Sequence, residues 1–133
     1  MTTRRLLTPF LLGLVALSSA PSVADTPADP AEARRALTPG ELDSRLLEVT
    51  VEIDRLTLQV RRDVDNRLHR IAYEKCRVLD ARLAEAVDLL LERKRREPRL
   101  GERILIDRQI EGLHDRVVEV RDMIDILRLY AQR

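Results

Sequence analysis

The chain has 133 residues, of which 35% are charged, 44% hydrophobic and 2% aromatic, with 24 Lys+Arg against 23 Asp+Glu. That length holds one domain of modest size, and the apolar content is that of a globular chain rather than a disordered one. Three aromatics (Phe10, Tyr73, Tyr130), four glycines and the lone Cys76 exclude a β-sandwich, a Gly-looped nucleotide fold, a disulfide framework and a Cys-rich zinc site.

Residues 1–24 read as a cleaved secretory signal. Arg4 and Arg5 supply the positive start, residues 6–17 the apolar core, and Ser22-Val23-Ala24 the small-x-small pattern before the cut. The apolar run is too short and too Pro-broken for a membrane span, which needs about 20 predominantly apolar residues. No cysteine stands at the cut to carry a lipid. The protein is therefore expected to be exported: periplasmic in a Gram-negative host, secreted otherwise. Without its leader the chain keeps 22 basic and 23 acidic groups. A nearly neutral chain gives no case for nucleic acid as partner.

Residues 25–37 are rich in Pro, Ala and Asp without an apolar period, and read as a flexible linker to a helical domain over residues 38–133. A marked helix start follows: Thr38 can cap, Pro39 takes the first helical position, and Glu41 closes a capping box. Leu37-Thr38-Pro39-Gly40-Glu41 also resembles the LTxxQ motif of small periplasmic helical chaperones, with Glu in place of Gln and in one copy where those proteins carry two.

From there the apolar residues step by four and three: Leu42, Leu46, Val49, Ile53, Leu56, Val60, then by fours through Val64, Leu68, Ala72 and Cys76, and on to Leu79, Leu83, Ala86 and Leu90. No Gly or Pro interrupts residues 42–97, so the spacing predicts one helix over about 38–97, roughly 85 Å long. Glu97-Pro98-Arg99-Leu100-Gly101 predicts a turn. A second helix over about 102–131 carries its own regular seam: Ile106, Ile110, Leu113, Val117, Val120, Ile124, Leu127. Folding about the turn sets Leu90 near Ile110, Leu79 near Val120 and Cys76 near Ile124.

The expected fold is all-α, a long antiparallel, coiled-coil-like helical hairpin. The alternative breaks the first helix near Asp63–Asn66 and gives a three-helix bundle. Asp63, Asp65 and Asn66 are poor helix formers, but a tight loop there would lack Gly and Pro. In the hairpin the second helix reaches back only to about Leu68. That leaves Leu42, Leu46, Val49, Ile53, Leu56, Val60 and Val64 as a stripe for a partner, either a second copy or another helical protein.

Arg93, Lys94, Arg95, Arg96 and Arg99 form a basic tip. It suits the helix dipole first, and an anionic membrane surface second. No nucleophile–base order, phosphate loop or HExxH motif is present in the sequence. His69 and Cys76 lie about 10.5 Å apart along a helix, too far to share a metal ion. His69 is expected at the rim near Tyr130. The expected role is therefore a non-catalytic scaffold or adaptor without cofactor. A periplasmic chaperone, or an envelope-stress or metal-responsive helical protein drawing on His69 and His114, stands as the alternative.

Overall fold

The computed structural model describes residues 29–132, so the expected signal peptide lies outside the described residues. The packing below concerns the compact unit that begins at Arg34. The described residues form four helices and no strand: α1 (Pro30–Arg35), α2 (Pro39–Asp65), α3 (His69–Arg96) and α4 (Leu100–Ala131). The all-α class is as the sequence predicts. None of these helices is long and apolar enough to cross a membrane. α1 stands inside the segment read as a linker, its first turn held by Asp29, whose carboxylate accepts the Ala31 N–H at 3.0 Å.

α2 starts where the sequence says. Thr38 Oγ1 accepts the Glu41 N–H at 3.1 Å, and Glu41 Oε1 accepts the Thr38 N–H at 2.8 Å. This reciprocal capping box satisfies two amides that the helix cannot pair internally.

The long first helix does not persist. It stops at Asp65, and the chain reverses through Asn66, Arg67 and Leu68. Arg67 takes the left-handed conformation at φ 60°. The Leu68 N–H donates to the Asp63 carbonyl at 2.8 Å and the Arg67 N–H to the Val64 carbonyl at 3.0 Å. These two bonds make a Schellman stop, with an arginine in the position that usually needs glycine. An L-residue there costs about 1–2 kcal/mol. Against it stand five α2 side chains fully withdrawn from water, Leu42, Val49, Ile53, Leu56 and Val60, each contributing about 1.5–3 kcal/mol. Burial outweighs the strain, so the turn forms without glycine or proline.

The fold-back corrects the predicted partner surface. Leu42, Val49, Ile53, Leu56 and Val60 share one core with Ala72, Cys76, Leu79, Leu83, Ala86 and Leu89 of α3 and Val120 and Leu127 of α4. Leu46 and Val64 pack against its edge. The stripe is interior because α3 covers what α4 is too short to reach.

α3 and α4 meet in the predicted register. Lys94 pairs with Asp107 at 2.7 Å, Arg121 with Asp80 at 3.3 Å, and His69 stacks on Tyr130 with ring centroids 4.8 Å apart. The turn between them is tighter than expected. Glu97 is extended ahead of Pro98, as a residue before proline must be. α4 then begins at Leu100, which puts Gly101 inside its first turn.

The α2–α3 seam is laced by ions: Arg45 with Glu85 at 2.6 Å, Arg82 with Glu52 at 2.6 Å, and Lys75 with the buried Asp63 at 2.7 Å. α2 and α4 both pack along α3 but scarcely touch each other. That leaves a trough between them.

The stop at Arg67 gives a signed expectation. Arg67→Gly relieves the left-handed strain and raises the unfolding free energy by about 0.5–1 kcal/mol in urea denaturation. In an uninterrupted helix the same glycine would lower it by about 1 kcal/mol. The sign alone distinguishes the two folds.

Candidate functional site

The trough is the candidate site. Its floor comes from α3, through Leu79, Ala86 and Leu90, and from the buried Val60 and Val120 beside it. Leu46, Thr50, Thr57 and Arg61 form the α2 wall, while Gln109, Gly112, Leu113, Arg116, Glu119 and Met123 form the α4 wall. Two hollows of about 240 and 380 Å³ lie along it and meet at Arg116.

Arg116 is the strut between the walls. Its guanidinium donates to Thr57 Oγ1 at 2.7 Å and lies 3.9 Å from Asp54 Oδ1. The Thr57 hydroxyl donates in turn to the Ile53 carbonyl at 2.7 Å, which fixes its lone pairs toward the arginine. One turn earlier on α4 is Gly112. A Cβ placed there would meet nothing within 4 Å. A glycine inside a helix costs about 1 kcal/mol relative to alanine, and no contact among the described residues accounts for it. Gly112 thus exposes bare backbone to open space beside an apolar floor, a surface that another backbone can approach closely.

The larger hollow, about 620 Å³ on the other side of the α3–α4 pair, is lined by Tyr73, Arg77, Asp80, Arg121, Asp125 and Arg128. Its charges are largely matched inside the chain, Arg121 by Asp80 at 3.3 Å and Arg128 by Asp125 at 3.9 Å. Arg77 is the one cation of this lining beyond the two pairs, and its guanidinium lies 6.0 Å from the Tyr73 ring centroid.

Each cation of the predicted basic tip has an acidic neighbour. Arg93 faces Asp43 at 3.9 Å, Lys94 holds Asp107 at 2.7 Å, and Arg99 holds Glu97 at 2.6 Å. Arg95 and Arg96 both grip Glu92, at 2.6 and 2.7 Å. Arg96 also donates to the Arg34 carbonyl at 3.0 Å. The Glu92 side chain is only 6% exposed. The Arg95 hydrogen bond, seconded by Arg96, holds its carboxyl down to about 2 against the opposing push of burial. Arg93, Lys94 and Arg96 tie the end of α3 to Asp43, Asp107 and the Arg34 carbonyl.

Cys76 is wholly buried, with Sγ 3.6 Å from Met123 Sδ, and burial pushes its thiol up to about 11. Among the described residues, no three His, Cys, Asp or Glu side chains lie placed to hold a metal ion. The sequence singled out neither Arg116 nor the trough. Gly112 was visible as the one glycine inside an otherwise regular helix, and Arg116 follows it at the same-face spacing of four. Among known proteins, the chain matches no family model, no curated protein and no solved structure.

Two outcomes follow from the ionisations. A depressed carboxyl contributes stability that is fully present above the unfolded value and is lost as pH falls through the folded one. Acid titration of the unfolding midpoint should therefore show Glu92-dependent destabilisation between pH 4.5 and about 2, and Glu92→Gln should remove that component while lowering stability at neutral pH. Iodoacetamide at pH 8 should leave Cys76 unmodified in the native protein and alkylate it in denaturant, because only the exposed thiolate reacts.

Proposed function

We propose that the chain is an exported, non-catalytic helical binding protein, a scaffold or adaptor, that takes an amphipathic helix of a partner into the trough between α2 and α4. The open position at Gly112 above an apolar floor carries this reading. Three helices packed in this way leave vacant the place that a fourth helix takes in a four-helix bundle. The rim selects the occupant by charge. Arg61, Arg93 and Arg116 line the trough against the single acid Glu119, which suits a helix with an apolar face and acidic flanks. A non-catalytic role is supported by the state of the side chains that might react: Cys76 is buried with a raised pKa, and His69 is stacked on Tyr130. Export rests on the sequence of residues 1–24.

A second reading is a chaperone that shields apolar segments of exported clients. It is favoured by the exposed Leu100, Ile104, Leu105, Val118, Ile126 and Leu129, which spread apolar surface over much of α4. Suppression of aggregation of an unrelated unfolded client would support it.

Gly112 separates fold from function. Gly112→Ala should raise the unfolding free energy by about 0.5–1 kcal/mol, since helix propensity improves and no clash opposes it. Gly112→Phe should leave the helical circular dichroism intact and abolish binding of a fluorescent, designed amphipathic helix with acidic flanks. A peptide with basic flanks should bind the wild type far more weakly. Equal binding by wild type and Gly112→Phe would remove the trough from the argument.

A further inference from the structure

α2 carries two apolar faces set back to back. One is the core stripe. The other comprises Leu47, Val51 and Leu58, exposed to 66%, 58% and 59%. With Asp54 these residues step by four, three and four, the spacing of a coiled-coil seam. Among the described residues nothing covers Leu47, Val51 and Leu58, which lie on the solvent side of α2, away from its core stripe.

The charges beside the seam decide what fits it. Glu48 borders its N-terminal half and Arg55 its C-terminal half, on the same flank and one heptad apart. We infer that a second copy of this chain pairs with the outer face of α2, antiparallel, with Glu48 of each copy against Arg55 of the other. In that register Leu47 meets Leu58 of the second copy at both ends of the contact. Val51 meets Asp54, a carboxylate that Arg116 approaches to 3.9 Å within its own chain. A parallel pairing would instead set Asp43 of each copy against Glu48 of the other, two like-charge contacts at the N-terminal end. The sequence of α2 is thus complementary to itself in one direction only.

The present partners of these two groups do not compete strongly. Glu48 is bonded to Arg45 at 3.2 Å and Arg55 lies 3.6 Å from Glu52, both within α2. The Glu48 and Arg55 side chains are themselves more than half exposed, and such pairs are readily exchanged. Three apolar side chains per copy make a modest seam, so the dimer is concentration-dependent and weakened by salt. This surface adjoins the trough at Asp54, which Arg116 approaches to 3.9 Å, but Leu47, Val51, Leu58, Glu48 and Arg55 do not line the trough.

Sedimentation equilibrium of the purified protein over a range of concentrations tests the pairing. The wild type should show a reversible monomer–dimer equilibrium. Glu48→Arg alone and Arg55→Glu alone should each weaken it about tenfold, with helicity unchanged because both side chains face water. Mixed in equal amounts, the two variants should recover the wild-type association, since each new charge then meets its opposite. Gly112→Phe should leave the equilibrium unchanged. A protein monomeric at every concentration would overturn the inference, as would a dimer indifferent to both charge reversals or a mixture that fails to recover. A dimer abolished by Gly112→Phe would place the second copy in the trough instead, and so would also overturn it.

Discussion

The arrangement of the helical unit depends on one turn. Between Asp65 and His69 the chain reverses through a Schellman stop, with Arg67 at φ 60°. Were α2 to run on into α3, its stripe from Leu42 to Val60 would lie beyond the reach of α4 and face water. The stop lays that stripe along α3, where both Ile53 and Leu83 become almost wholly buried. A local conformation that is unfavourable by itself persists because a long row of side chains leaves water when it forms.

The turn also determines what surface remains. α3 becomes the shared floor on which α2 and α4 rest, and their separation opens the trough that Arg116 spans. The same fold-back brings Asp43 and the Arg34 and Arg35 carbonyls within reach of the cations at the end of α3. Part of the basic run thereby holds the ends of the helices together.

Ion pairs follow a consistent division of labour. Those along the α2–α3 and α3–α4 seams are partly shielded and fix register: Arg45 with Glu85, Arg82 with Glu52, Lys94 with Asp107. Pairs within the exposed face of α2 fix nothing comparable and stay exchangeable. Burial thus separates charges that define this fold from charges available for association.

Much was legible in the sequence. The capping box at Thr38 and Glu41, the regular seam of α4, its register against α3 and the stacking place of His69 all depend on residues a few positions apart or on two matched periodicities. The break at Asn66–Leu68, the burial of the Leu42–Val60 stripe and the trough at Gly112 depend on contacts between distant residues, such as Lys75 with Asp63, 12 positions apart, and Arg116 with Thr57, 59 apart. Local pattern specifies which face of a helix avoids water. It does not specify which neighbour covers that face, because the strain of a left-handed arginine is weighed against burial only once the whole core has formed.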